Sequence, residues 1–390
     1  MIERLGIVVL AMVALTGAAQ PEDGFRPTPE EQKRYELMSQ SEAWFLKSLA
    51  GPREIVDGQR LDPKLQYYFE ERRRRTPEQV QRGLATFLDP QARIVTRERL
   101  AREWALFTKV TAPMHAVEDR KIDGRGGPIP IRIYTPKTGP GEPLPLLVYF
   151  HGGGWLYSGI DATDRFARLV ANEARAIVMS VDYRLAPEHL WPASNDDGED
   201  AFLWARANAK RLGSEPELVA VGGDSAGGHI SLNISLRQIA ARRPTPAYQL
   251  LYYTSSDFAE ADESYRLFEE GYGLDATFRA FMIDTVFPGE LLKQATQELN
   301  GASFAGMPAT IAVSAGFDML RDSSRRLTEQ LTKAGVPAMY LNYPTLAHGF
   351  LQWSAVVADA ERASVDTARL FGTAIRSRAA LLRQQARGRE

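Results

Sequence analysis

Between residues 146 and 378, short apolar runs alternate with stretches of helical period. The runs are "LLVYF" (Leu146–Phe150), "AIVMSVDY" (176–183), "LVAVGG" (218–223), "YQLLYYT" (248–254), "PATIAVSAG" (308–316) and "PAMYLNYP" (337–344). Helical patterns fall between and after them at 162–173, 195–212, 226–241, 323–334 and 354 to about 378. A strand apolar along its whole length has both faces buried, so the pattern predicts a mostly parallel sheet with helices on both faces. Upstream, "MHAVEDRKI" and "IPIRIYTP" read as two strands joined by the turn "DGRGGP".

The rest of the chain is organised around this block. Residues 61–110 look helical, with Pro77 at a helix start and Pro90 as a break. Residues 20–60 are polar and proline-containing, an accessory arm with one amphipathic helix expected near 29–49. An aromatic-rich, less regular stretch at 258–299 interrupts the alternation as an insertion. The charged end, 379–390, is expected to fray, leaving 111–378 as the main domain. Residues 1–19 carry an apolar stretch from Leu5 to Leu15 followed by small residues at Gly17 and Ala19, the pattern of an export signal cleaved after Ala19. Cleavage implies a periplasmic or secreted protein with no stable membrane span. The alternative is a cytoplasmic protein whose first residues pack on the cap or stay as an anchor.

Charge and cysteine content remove several classes of function. With 47 basic and 49 acidic residues the net charge is -2, which offers no electrostatic attraction for nucleic acid. The "ERRRR" run at 71–75 has no aromatic interleaving and reads as a solvated helix face. The chain has no cysteine, which excludes disulfides, thiolate metal sites and a cysteine nucleophile.

The chemistry concentrates where strands end. Gly223-Asp224-Ser225-Ala226-Gly227 is a Gly-x-Ser-x-Gly motif between an apolar run and a helical pattern. That context defines a nucleophile elbow, a strained turn that lifts the serine hydroxyl clear of the sheet. A phosphate-binding loop is the competing reading, but no Gly-Lys-Ser/Thr follows. The stretch "HGGG" (151–154) directly follows a buried strand and places three consecutive glycines there. Glycine is costly in chain entropy, so something must approach this backbone closely. A carbonyl attacked by serine becomes an oxyanion, and bare main-chain N–H groups stabilise it. Gly153, Gly154 and Ala226 are the expected donors, with His151 ordering the loop.

The base is sought among five histidines. His115 precedes the sheet, His151 belongs to the glycine loop, His189 lies in "YRLAPEHLWPA", and His229 would have to fold back on its own helix. In the fold that uses this elbow the order along the chain is Ser, Asp/Glu, His. His348, after the last strand, fits. The acid then follows the penultimate strand, where Asp318 stands at the strand end and Asp322 one helical turn later; Asp318 is the choice. Trp155, Tyr157, Phe278, Phe281 and Phe287 are candidate pocket walls, although apolar rings at such spacings also serve as plain core.

Taken together, "HGGGW", "DYRLAPEH", "AVGGDSAGGH", "SAGFDMLRD", "AGVPAMYLNYP" and "AHGFLQ" resemble the hormone-sensitive-lipase family of α/β-hydrolase esterases, from about Leu61 to about Phe371. The resemblance implies an α/β-hydrolase fold: an eight-stranded sheet with a helical cap from the N-terminal helices and the 258–299 insertion. It implies hydrolysis of carboxylic esters with small to medium acyl groups, no metal or organic cofactor, and a small-molecule ester as partner. Members often pair as homodimers through the edge strand near the C-terminus. By the same resemblance Asp182, Tyr183, Arg184 and Glu188 brace the active-site loops. The chain departs from the family at His229, often Asn, at Asp322-Ser323, often Asp-Glu, and in its first 60 residues. An amide, formamide or lactone hydrolase would use the same triad. A receptor on this scaffold is the other class, and there the histidine is lost.

Overall fold

The computed structural model describes residues 24–139, 141, 143–258, 262–300 and 303–387, so the export-signal reading of 1–19 lies outside the described residues. One eight-stranded sheet runs through it. Its strands are β1 (Ala116–Gly124), β2 (Gly127–Thr135), β3 (Leu146–Phe150), β4 (Ile177–Val181), β5 (Val219–Asp224), β6 (Gln249–Tyr252), β7 (Thr310–Phe317) and β8 (Ala338–Ala347). The spatial order is β8-β7-β6-β5-β3-β4-β2-β1. β1 pairs antiparallel with β2, and β2 with β4; the remaining pairs are parallel. β1 and β2 meet at Gly124 and Gly127, so Arg125-Gly126 is the turn. Around β3 the strand order reverses. Loops leaving the carboxyl ends of β3 and β5 therefore diverge to opposite sides and open a crevice, where α/β proteins place their sites.

Four of the five helices described between residues 24 and 110 start with one repeated device, a Thr or Asp cap followed by proline. Thr28 caps α1 (Pro29–Met38) and exchanges bonds with Glu31. Two residues beyond its C-cap, Ser41 caps α2 (Glu42–Ser48), so the single helix expected over 29–49 is two, broken at residues 39–41. The serine side chain takes the Trp44 N–H and starts a new axis. Asp62 caps α3 (Pro63–Arg73), Thr76 caps α4 (Pro77–Ala85) and Asp89 caps α5 (Pro90–Phe107). Pro90 is thus both a break and the first residue of the next helix, where its missing N–H costs nothing. Residues 24–60 dock on the body. Phe45 is fully buried, Arg321 pairs with Asp57 at 2.9 Å, and Gln59 bridges the Gly316 carbonyl (3.2 Å) and the Asn342 amide (2.8 Å) at the end of the sheet.

Flanking helices follow from the alternation of side chains along the central strands. Leu147 and Tyr149 of β3 face a core shared with α6 (Ile160–Ala174). Leu146, Val148 and Phe150 face α7 (Ala193–Asn208) and α8 (Ala226–Ala240) on the other side. Each fully enclosed side chain of this kind contributes roughly 1.5–3 kcal/mol. Three helices, α9 (Glu263–Phe268), α10 (Ala276–Val286) and α11 (Glu290–Asn300), lie between β6 and β7. α12 (Arg321–Lys333) precedes β8.

The last helix, α13 (Ala358–Arg387), starts later than the expected 354, because residues 350–353 form a tight 3₁₀ turn. It continues past 378 as far as Arg387, into the stretch expected to fray. No glycine or proline interrupts the sequence between Gly372 and Gly388, and its alanines, leucines, glutamines and arginines favour helix. Gly372 is where α13 crosses the end of α6: a β-carbon there would sit 2.2 Å from the Ala174 carbonyl. Among the described residues no helix is long and apolar enough to cross a membrane.

Candidate active site

β5 delivers the elbow. Ser225 sits between Asp224, its last residue, and Ala226, the first of α8, with φ 52° and ψ −117°. A non-glycine residue at positive φ stores strain. The turn is held by Ser225 N–H donating to the Tyr252 carbonyl (2.9 Å) and by Thr254 Oγ1 and His229 N–H donating to the Ser225 carbonyl (2.9 and 3.1 Å). The flanking glycines allow α8 to approach the sheet: a β-carbon on Gly227 would lie 1.9 Å from the Phe150 carbonyl oxygen.

His348 follows β8 and brings Nε2 to 3.1 Å from Ser225 Oγ. Its Nδ1 lies 2.8 Å from Asp318 Oδ2. Asp318 is 1 % exposed at the end of β7, and its other oxygen accepts the Leu320 N–H at 2.9 Å. A carboxylate can only accept, so Nδ1 carries the proton and Nε2 is left to accept from the serine hydroxyl. Three residues expected from the sequence meet here. Asp322 points elsewhere: it holds Arg321 (3.1 Å) and the Ser264 N–H (3.0 Å), tying α12 to α9.

The glycine loop is set by a residue that the sequence reading passed over. Asp224 is buried, and its carboxylate accepts from Tyr149 OH (2.5 Å), Gly152 N–H (2.8 Å) and Tyr253 OH (3.2 Å). Burial pushes its carboxyl up, and these three donors pull the other way. The signal was present as a single charge closing an otherwise apolar strand. With Gly152 held, Gly153 (φ 108°) and Gly154 (φ 60°) turn past Ser225. Neither donates its N–H to an acceptor among the described residues, and both line the cavity beside Ser225, Ala226 and His348. Ala226 N–H is free by position, at the first turn of α8.

His151, Asp182, Arg184 and Glu188 stand behind the cavity wall. Buried His151 gives Nδ1–H to the Gly152 carbonyl (2.7 Å), stacks on Tyr183 (4.3 Å) and takes the Tyr183 hydroxyl on its carbonyl (2.7 Å). Burial lowers its imidazole to about 4. Asp182, raised by burial, accepts the N–H of Ile160 at the start of α6. Arg184 forks onto Asp197 of α7 at 2.8–3.0 Å. Glu188 pairs with Arg93 and Arg97 of α5, each at 2.8 Å, which fastens the N-terminal helices to this loop.

The other histidines do not reach the hydroxyl. His115 and His189 are exposed. His229 is 4 % exposed, between Trp155 (5.3 Å) and Phe258 (5.2 Å), and its Nδ1 accepts from the Asn233 amide at 3.1 Å. Burial lowers this ring to about 4 as well.

The cavity above Ser225 measures about 720 Å³ and is roofed by α3, α4, α5 and α10. Trp155, Tyr157 and Phe278 line it; Phe281 and Phe287 do not. Phe287 is enclosed by Trp155, Phe258 and Trp191, and Phe281 packs on Phe87. Phe287, just past the end of α10, is buried in a hydrophobic core, and Phe281 packs half-buried against that core. Among the described residues no three His, Asp or Glu side chains come together as metal ligands.

Comparison with known proteins agrees with this architecture. The family with the α/β-hydrolase fold matches residues 147–352. Carboxylesterase NlhH of Mycobacterium tuberculosis is 36% identical over 272 residues, covering 65% of this chain and 81% of the relative. Carboxylic ester hydrolase LipN of the same organism is 37% identical over 317 residues, 77% of this chain and 80% of the relative. Ester hydrolase EH1AB1 from the Lake Arreo metagenome, solved with a bipyridine phosphonate derivative, superposes with a TM-score of 0.71 at 28% identity, covering 89% of this chain and 99% of that one.

Proposed function

The chain belongs to the hormone-sensitive-lipase-like family of α/β hydrolases, and on that premise we propose that it is a serine carboxylesterase whose nucleophile is Ser225. The observation that carries this reading is the unbroken chain Ser225–His348–Asp318, opening on a cavity beside three unengaged N–H groups.

In this mechanism Ser225 Oγ attacks the acyl carbon while its proton passes to His348 Nε2. The carbonyl oxygen becomes an oxyanion against the N–H groups of Gly153, Gly154 and Ala226. Such donors act most strongly where the charge develops, and losing one typically costs about 10²–10³ in rate. The bond to the alkoxy oxygen then breaks, and His348 Nε2–H protonates the departing alcohol. Water attacks the acyl-enzyme, gives a proton to Nε2, and releases the acid as that proton returns to Ser225. Asp318 keeps the ring in the required tautomer and stabilises the imidazolium. A cavity of about 720 Å³ accommodates small to medium acyl esters.

Ester hydrolysis is favoured over amide or lactone hydrolysis because relatives at 36–37% identity are named carboxylesterase and carboxylic ester hydrolase. Retention of His348 argues against a receptor role. The test is turnover of 4-nitrophenyl butyrate by Ser225→Ala and His348→Ala, with a butyranilide and a lactone as comparison substrates. Both variants should fold and lose activity. Unchanged turnover in Ser225→Ala, or loss in His229→Ala with His348→Ala active, would falsify the assignment.

A further inference from the structure

The cavity wall is apolar in its larger part, with charged side chains distributed through the rest, among them Arg72, Arg73, Arg75 and Arg99 in the roof. Arg72, on α3, lines the cavity and is only half-buried, with its guanidinium over the Tyr68 ring (5.8 Å). Among the described residues no carboxylate lies within ion-pairing distance of it. Among those residues its one hydrogen bond, Nη1 to Tyr68 Oη, is long at 3.4 Å. The Tyr68 hydroxyl is itself committed to Glu103 at 3.0 Å, and Glu103 already serves Arg34 at 2.9 Å and Arg99 at 3.9 Å. Two guanidinium groups thus already share that carboxylate, and Arg72 is linked to it only through the Tyr68 hydroxyl. Of the acidic residues that line the rest of the cavity, Asp224 is held by Tyr149, Gly152 and Tyr253, Asp275 accepts the Gly271 N–H, Asp257 pairs with Arg326, and Glu270 is exposed. The Tyr157 hydroxyl, on the loop that carries the oxyanion glycines, belongs to a side chain lining the same cavity and makes no hydrogen bond among the described residues.

Asp275 and Glu103 help hold the Arg72 guanidinium charged from beyond ion-pairing distance. With no anion in contact, it keeps a desolvation cost that a directly paired anion would offset. Here that anion can arrive with a ligand. The planar fork of arginine matches a carboxylate in two-point geometry, and the Tyr157 hydroxyl is available as a further donor.

We propose that Arg72 selects esters bearing a free carboxylate, so that the preferred substrates are half-esters of dicarboxylic acids or esters of hydroxy acids. The inference rests on the esterase reading above and adds the substrate class. The charge recognised is the same whether it is carried on the acyl or the alcohol side, and two substrate pairs separate these. Mono-4-nitrophenyl glutarate against 4-nitrophenyl valerate carries it on the acyl chain; O-butyrylglycolate against ethyl butyrate carries it on the alcohol.

In at least one pair the charged member should have the higher kcat/KM. Arg72→Gln should lower that charged-to-neutral ratio roughly 10- to 100-fold, mainly through KM, as expected for loss of a charge-assisted hydrogen bond. Arg72→Lys should restore part of it, and added salt should lower the wild-type ratio. A ratio that Arg72→Gln leaves unchanged in both pairs overturns the proposal. Calorimetry separates this failure from failure of the esterase reading. Ser225→Ala protein should bind monomethyl glutarate or O-butyrylglycolate more tightly than the neutral analogue, and adding Arg72→Gln should abolish the difference. Should the wild type cleave none of the esters, the esterase reading fails, and the binding comparison still decides the role of Arg72. If Arg72→Gln does not fold, Arg72→Met, which keeps most of the stem, carries the same comparison.

Discussion

His151 and His229 are 0 % and 4 % exposed, and burial holds both imidazoles near 4 against an ordinary value of 6.5. Each is therefore neutral in the folded protein across a range in which the unfolded chain binds a proton. The direction follows: stability from these groups is intact above about 6.5 and is lost as the pH falls towards 4. One such histidine loses about 2 kcal/mol between pH 7 and pH 5, and about 3 kcal/mol once the pH is below 4. Other groups titrate in the same span. Burial raises Asp62, Asp182 and Asp224, which opposes the loss, while Arg102 lowers Glu31, which adds to it. Subtraction removes them. His229→Asn keeps an acceptor for Asn233 but cannot titrate, so its loss of stability from pH 7 to pH 5 should be smaller than that of the wild type by about 2 kcal/mol. Urea unfolding followed by tryptophan fluorescence at both pH values gives the four free energies needed. Any cavity left by the smaller side chain lowers both variant values equally and cancels. Equal acid losses in the two proteins would refute the argument that the buried ring stays neutral.

Other expectations concern the catalytic machinery. Gly153→Ala places a β-carbon 2.3 Å from the Tyr157 carbonyl at φ 108°, so the loop must shift; kcat on 4-nitrophenyl butyrate should fall about 10²- to 10³-fold, and a normal kcat would remove Gly153 from the oxyanion site. Asp318→Asn should cost on the order of 10⁴ in kcat by misplacing the His348 proton. Asp322→Asn should instead lower stability by about 1–3 kcal/mol, because it bonds Arg321 and Ser264, and leave kcat within a few-fold. Reversed outcomes for the two aspartates would exchange their assignments. We further propose export with removal of residues 1–19, which puts Gln20 at the mature N-terminus; intact mass of protein recovered from its native host tests this, and a retained Met1 refutes it.

Features set by neighbours along the chain were legible in advance. Strand–helix alternation gave the sheet because burial on two faces demands apolar side chains on consecutive residues. Ser225 was readable because an elbow needs small residues two positions before and after it. His348 and Asp318 followed from their places after the last two strands. What these signals could not supply was compensation between groups distant in sequence. Nothing in "GDSAGG" says that Asp224 will hold the Gly152 N–H, or in "PEH" that Glu188 will meet Arg93 and Arg97 on a helix far upstream. The "ERRRR" run read as a solvated face, yet Arg72, Arg73 and Arg75 line the cavity while Arg74 stays with Glu71 in solvent. Helical period alone also could not separate Phe278, in the cavity wall, from Phe281, packed against the core, and Phe287, buried in it. Local pattern determines which backbone conformation a segment can hold and where a nucleophile can stand. Which charges find a partner, and which are left facing a ligand, depends on the three-dimensional meeting of distant segments, because charge compensation and desolvation act through space.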